Sequence, residues 1–271
     1  MHNITIENKV VLITGAFGLI GKTISINFLH QGAKVILADI DQTKAENISE
    51  ELKTLNPLNY LIIPLDITNE NSCEKALEES VKKFGKIDVL INNAALDAKF
   101  DKQNISEINH SRFENYPLEL FKKSVDVNIT GTVLVTQVMI RQMLKQGYGN
   151  IINVASTYSL VSPNQKLYDF GDGTIQYKPV DYIVTKSFIP NFTKYLATFY
   201  ASDNIRCNAI APHGIFNDHD EKFLQNFAAL SPIGRMADKK EMTGPFTFLA
   251  SDASSYMTGT TLVVDGGWTA W

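Results

Sequence analysis

Seven short runs rich in β-branched residues punctuate the chain: VVLIT (10–14), KVILAD (34–39), YLIIPLD (60–66), IDVLINN (87–93), NIINVAS (150–156), IRCNAIA (205–211) and TTLVVDG (260–266). Nothing else in the sequence limits the fold as strongly. Apolar runs of this length, bounded by Gly, Pro, Asn or Asp, read as buried strands. Between them, segments such as DQTKAENISEELKTL (41–55) and NENSCEKALEESVKKF (69–84) place apolar residues every three or four positions behind a capping Asp or Asn. That spacing predicts amphipathic helices. Strand, helix, strand repetition with right-handed crossovers predicts an α/β fold, a doubly wound parallel seven-stranded sheet with helices on both faces. No linker, low-complexity tract or fixed-period repeat interrupts residues 1–271, so a single domain is expected.

The bulk composition narrows the class of function. A chain of 271 residues that is 44% hydrophobic can bury a large core. Its net charge of −4 and pI near 5.8 argue against a nucleic-acid or anionic-membrane surface, where Lys and Arg would cluster. A small-molecule ligand is expected instead. Cys73 and Cys207 have no metal-like spacing, which supports neither a disulfide scaffold nor a metal site. The first residues lack the basic flank and cleavage site of a signal peptide, and no apolar stretch reaches membrane-spanning length. A cytoplasmic enzyme is the expectation.

The junction of the first strand and first helix, TGAFGLIG, carries Gly15, Gly18 and Gly21. Glycines there let the backbone turn tightly and approach a pyrophosphate, whose charge meets unpaired N–H groups and the helix dipole. Asp39 ends the second strand, where a carboxylate can accept hydrogen bonds from the adenosine ribose hydroxyls. Together they predict a bound dinucleotide. A 2′-phosphate beside Asp39 would set anion against anion, and neither Ala16, Phe17 nor Ile40 supplies an offsetting cation. NAD is therefore expected over NADP, with Lys22 and Lys44 the nearest cations in sequence.

Two polar, aromatic segments, 96–117 and 157–181, follow the carboxyl ends of predicted strands. Ligands of open α/β sheets bind at such ends, and loops of this length in a compact domain are commonly functional. Just beyond the second loop, DYIVTKSFIP places Tyr182 and Lys186 one helical turn apart. Alone, the pair could be two residues sharing a helix face. In order, TGAFGLIG, LDIT (65–68), INNAA (91–95), VNITGT (127–132), NVAS (153–156), YIVTK and NAIAPHG (208–214) resemble the short-chain dehydrogenase/reductase family, a Rossmann-fold family, across nearly the whole chain.

That resemblance implies a catalytic set of Asn128, Ser156, Tyr182 and Lys186. Tyr182 would move the proton while hydride passes between cofactor and carbon, Lys186 would favour its phenolate, Ser156 would hold the substrate oxygen, and Asn128 would anchor a proton-relaying water. It also implies cofactor contacts from Gly15, Phe17, Gly18, Leu19, Ile20, Gly21, Asp39, Asp66, Ile67, Asn92, Ala94, Tyr182, Lys186, Pro212, Gly214, Ile215 and Asn217. The pattern departs from the family's in three places. The glycines run G-x-x-G-x-x-G; His213 stands where a glycine usually follows Pro212, and Asn217 where a Thr is common; and 25 residues separate Ser156 from Tyr182, about twice the usual interval.

The extra residues belong to the substrate. Loops 96–117 and 157–181 contribute Tyr158, Tyr168, Tyr177, Asp169, Asp172, Lys166, Lys178, Lys99 and Arg112, aromatic faces and hydrogen-bonding groups suited to a sugar, amino sugar or sugar phosphate, and 213–230 is expected as a third substrate loop. SPIGRMADKKEMTGPFTFLASDASSYMTG (231–259) and VDGGWTAW (264–271) further resemble short-chain oxidoreductases of bacterial flagellin glycosylation and nonulosonic-acid synthesis. The alternatives are a non-sugar hydroxy compound as substrate, or a non-catalytic NAD-binding regulator. Apolar residues including Val133, Val138, Ile140, Phe188, Phe192 and Phe199 exceed what one sheet-facing stripe uses. The resemblance implies helix pairing across twofold axes, with Trp271 near a second axis, giving a homotetramer or homodimer.

Overall fold

The computed structural model describes residues 4–97, 109–169 and 176–271; Lys99 and Asp172 lie outside them. Strands β1 (Val10–Thr14), β2 (Lys34–Asp39), β3 (Tyr60–Pro64), β4 (Val89–Asn92), β5 (Gly149–Val154), β6 (Ile205–Pro212) and β7 (Thr261–Val264) form one sheet in the order β3-β2-β1-β4-β5-β6-β7. Every pairing is parallel, so the doubly wound expectation holds. The third, fourth, fifth and seventh runs overshoot their strands by one or more residues. Leu65 still donates its N–H to the Asp39 carbonyl, but the Asp66 carboxylate takes the Thr68 N–H and hydroxyl and turns the chain.

Alternate residues of each strand face opposite layers. Val11, Ile13, Val35, Leu37, Ile91 and Ile152 pack with Phe28 and Phe246 on one side; Val10, Leu12, Ile36, Leu90, Ile151 and Cys207 pack with Val138 and Met139 on the other. Each such fully buried side chain stabilises the fold by roughly 1.5–3 kcal/mol. The first layer is built by α1 (Leu19–His30), α2 (Glu46–Lys53) and α8 (Thr243–Ala250), and the second by α3 (Glu70–Phe84), α5 (Thr132–Gln146) and α6 (Val180–Phe199). Asn69 caps α3 through the Ser72 N–H, and Gly85 at φ +78° ends it.

The helical stretch 118–146 is not uniform. Between α4 (Leu118–Val125) and α5, residues Asp126–Gly131 widen into π-type turns, a distortion frequent at functional sites. Val138 and Ile140 are buried within the subunit, so they add nothing to a free apolar face. Helix α6 contains Pro190, and α7 (Glu221–Leu230) closes the region beyond β6. Among the described residues no helix is long and apolar enough to cross a membrane.

Candidate active site

A cavity of about 740 Å³ runs along the carboxyl ends of the strands, from Asp39 and Asp66 to Phe227. β1 is flanked by β2 and β4, and the chain leaves it in opposite directions on the two sides. A crevice at that switch point is where open α/β sheets bind ligands.

At one end the glycine turn is locked to the β4 side. Gly15 adopts φ +62°, and a Cβ there would come within 2.8 Å of the Ala94 Cα; at Gly21 a Cβ would collide with the Gly15 carbonyl, so α1 can start against the turn only without one. The Asn93 amide donates to the Thr14 and Gly15 carbonyls at 3.0 and 2.9 Å. Asp39 accepts the Phe17 N–H on one oxygen and the Asp41 N–H on the other, both at 3.0 Å, which leaves lone pairs on a carboxylate lining the cavity. Lys22 and Lys44 pair with Glu51 and Asp41 at 2.8 and 3.1 Å. A turn bare of Cβ atoms at Gly15, Gly18 and Gly21, a helix N-terminus and a poised carboxylate fit a dinucleotide.

Gly15, Gly18, Leu19, Ile20, Asp39, Asp66, Ile67, Ala94, Pro212, Gly214 and Ile215 line the cavity together with Ser156, Tyr182 and Lys186. Phe17, Gly21, Asn92, Asn128 and Asn217 do not. Phe17 packs its ring into the core and offers only its N–H to Asp39. The Asn92 amide turns inward, donating to Thr136 and Asn153 at 2.8 Å, and it is the neighbouring Asn93 that reaches the wall. Asn217 is exposed, its N–H on the His219 ring. Asn128 is buried, accepts the Leu96 N–H at 2.7 Å and donates to the Leu96 carbonyl and the Thr185 hydroxyl at 3.0 Å. It anchors the chain leaving β4 to α6.

Burial and, after it, the Asp97 carboxylate push the Tyr182 phenol up, and the neighbouring Ser156 side chain pulls it down by less. Lys186, 7% exposed, donates to the Val154 carbonyl at 2.8 Å. Burial holds its ammonium down to about 8, with Asp97 opposing and Lys178 adding to the shift. Ser156 lies two residues beyond β5 with its backbone still extended, and its hydroxyl oxygen accepts the Tyr158 N–H.

The far end is aromatic. Tyr158 and Tyr168 join hydroxyls at 3.0 Å, and His213 sits against Trp268, Phe227 and Tyr158 at centroid distances of 4.2, 5.2 and 5.3 Å. Burial pulls the His213 imidazole down to about 4. Asp97 and Lys178 also line the wall. Asn93, Asp97 and His213 were absent from the expected site. The doublet Asn92–Asn93 carried the first as a signal without saying which amide faces the crevice, and the unusual His after Pro212 carried the last.

A family model described as enoyl-(acyl carrier protein) reductase matches residues 15–269. The 7α-hydroxysteroid dehydrogenase of Bacteroides fragilis is 31% identical, with 97% of this chain and 95% of that protein covered. Post-translational flagellin modification protein A of Campylobacter coli is 31% identical, covering 97% and 99%. The NAD-dependent glycerol dehydrogenase of Listeria innocua is 32% identical over 97% and 95%. A short-chain dehydrogenase from Leptospira borgpetersenii, solved with bound NAD+, superposes with a TM-score of 0.81 at 30% identity, covering 99% and 96%. With its sheet order, glycine turn and Tyr/Lys helix, the chain belongs to the short-chain dehydrogenase/reductase family, oxidoreductases that act on CH–OH groups with a nicotinamide cofactor.

Proposed function

We propose that this enzyme interconverts a secondary alcohol and a ketone on a sugar or amino sugar, using NAD. The observation that carries the cofactor choice is the Asp39 carboxylate on the cavity wall, with Lys22 and Lys44 held by other carboxylates. Asp39, Asp41 and Lys44 all line that wall and leave it net negative, so a 2′-phosphate would be repelled there. Glycine-turn N–H groups and the α1 N-terminus would hold the pyrophosphate, Asp39 the adenosine ribose, and Pro212 to Ile215 the nicotinamide end. When bound, the cofactor supplies the hydride acceptor or donor.

The chain's own residues handle the proton. Ser156 orients the substrate oxygen, Tyr182 takes the hydroxyl proton in oxidation and returns it in reduction, and Lys186 stabilises the phenolate. Asn128 contributes by holding Leu96 and Thr185. As a water anchor it would act through the remaining lone pair of its amide oxygen or through its main chain, its amide hydrogens being committed to those partners. Hydroxyl and imidazole groups interleaved with aromatic faces around Tyr158, Tyr168 and His213 support a polyhydroxylated substrate. A second reading, a non-sugar alcohol with an apolar body, is favoured by the cluster of Leu167, Phe223, Phe227 and Met236 on the same wall. We also propose a homotetramer or homodimer, supported by Val184, Tyr195 and Phe199 left exposed on α6.

Reduced-nicotinamide absorbance with NAD or NADP and a panel of polyols, sugars, sugar phosphates, hydroxy acids and hydroxysteroids decides the substrate. Turnover confined to the last two groups would reject the carbohydrate reading. Asp39→Ala with Ile40→Arg should raise NADP use relative to NAD; a wild type preferring NADP would reject the cofactor assignment.

A further inference from the structure

Two lysines, not one, face the Tyr182 ring. Lys186 lies one turn along α6, its ammonium 6.0 Å from the ring centroid. Lys178, in the loop entering α6, is nearer, with Nζ 4.0 Å from the centroid. Its side chain is 10% exposed and paired at 2.6 Å with Asp97, which is 53% exposed on the cavity wall. Both members are held from behind. The Lys178 N–H donates to the Gln165 side chain at 2.9 Å, and Asp97 directly follows Leu96, whose two main-chain polar groups are gripped by Asn128.

A cation over an aromatic face is attracted by the ring quadrupole, and more strongly once the ring carries phenolate charge. Asp97 acts the other way. Its carboxylate offsets the ammonium and adds negative charge near the phenol. The other groups around the tyrosine, Asp181 apart, bring no opposing charge near neutrality. Ser156 is a neutral partner, Tyr158 and Tyr168 bond each other, and His213 is uncharged above about pH 4. Asp181 on α6 is engaged by the Ser124 hydroxyl and the Tyr182 N–H. Lys186 spends a hydrogen on the Val154 carbonyl.

We propose that Lys178 and Asp97 form a positioning charge pair for Tyr182, Lys178 lowering and Asp97 raising the proton affinity of the phenol, so that this pair sets the working pH together with Lys186. The proposal rests on Tyr182 as the proton-transfer group. It assigns opposite signs to two residues that touch each other, which a purely structural ion pair would not do.

The test titrates tyrosinate absorbance in NAD-saturated enzyme, subtracting the matching Tyr182→Phe protein in each background, and needs no turnover. Lys178→Met should raise the Tyr182 midpoint by about one pH unit, Asp97→Asn should lower it by about one, and Lys178→Arg should stay within a few tenths. Circular dichroism establishes that each variant is folded; if Lys178→Met is not, the downward shift in Asp97→Asn decides. Shifts of the same sign, or none beyond a few tenths, overturn the proposal while leaving Tyr182 as the proton carrier. A wild type with no Tyr182 transition below about pH 10, the free-tyrosine value, rejects the proton-transfer reading itself and this pair with it.

Discussion

Tyr182 is a phenol that burial makes harder to ionise, in a site whose chemistry needs it to release a proton. The surrounding charges must overcome that penalty, and the residue is useful only where they do. Replacing Tyr182 with Phe removes the hydroxyl and keeps the ring, so NAD affinity should stay near wild type in a binding titration while turnover falls by orders of magnitude. A variant retaining a tenth of wild-type turnover, with chemistry limiting in both proteins, would reassign the proton step. His213 illustrates the opposite use of burial. Its pKa is held at about 4 against an ordinary 6.5, so between these values the unfolded chain binds a proton that the folded chain refuses. Stability therefore falls as pH drops from about 6.5 to about 4, by up to about 3 kcal/mol. Melting curves should show wild type losing more over this window than His213→Gln, since the carboxylates common to both proteins cancel. Equal slopes would contradict it.

Among the elements, the β1–α1 junction has the least slack. A Cβ at Gly21 would strike the Gly15 carbonyl and come within 2.9 Å of the Ala16 Cα, both backbone atoms. Gly21→Ala should shift α1 off the turn, weakening NAD binding at least tenfold in a calorimetric titration, a loss of about 1.4 kcal/mol; unchanged affinity would show that the turn tolerates the shift. The sequence revealed β1 and β2 to the residue because apolar runs between turn residues end where their hydrogen-bonding ladders end. It hid the π-type turns at Asp126–Gly131, since apolar periodicity reports which side chains face the core and not which carbonyl each N–H reaches. Asn92 and Asn93 were legible as a pair, but one residue of strand parity decides which amide meets the crevice. Asn128 was legible by type alone. Its partners, Leu96 and Thr185, are brought in from distant parts of the chain, as Asp97 and Lys178 are brought together from 81 residues apart.

At the scale of the molecule, α4, α5 and α6 leave Leu118, Leu120, Leu144, Val184, Tyr195 and Phe199 exposed, Tyr195 and Phe199 each at 58%. Sedimentation at micromolar concentration should find a dimer or tetramer, and Phe199→Glu with Tyr195→Glu should shift it toward monomer by burying charge at the contact. A stable, fully active wild-type monomer would reject the assembly. Inside each subunit, Pro190 has no N–H to offer the Lys186 carbonyl, so the backbone ladder of α6 is interrupted one turn beyond the Tyr/Lys pair. The half-helix ahead of that gap depends on its tertiary ties, Asp181 to Ser124, Thr185 to Asn128 and Lys186 to Val154. Its local unfolding free energy is thus borrowed from the segments around it, and whatever steadies the chain at Leu96 also lengthens the time the proton-carrying residues spend in register.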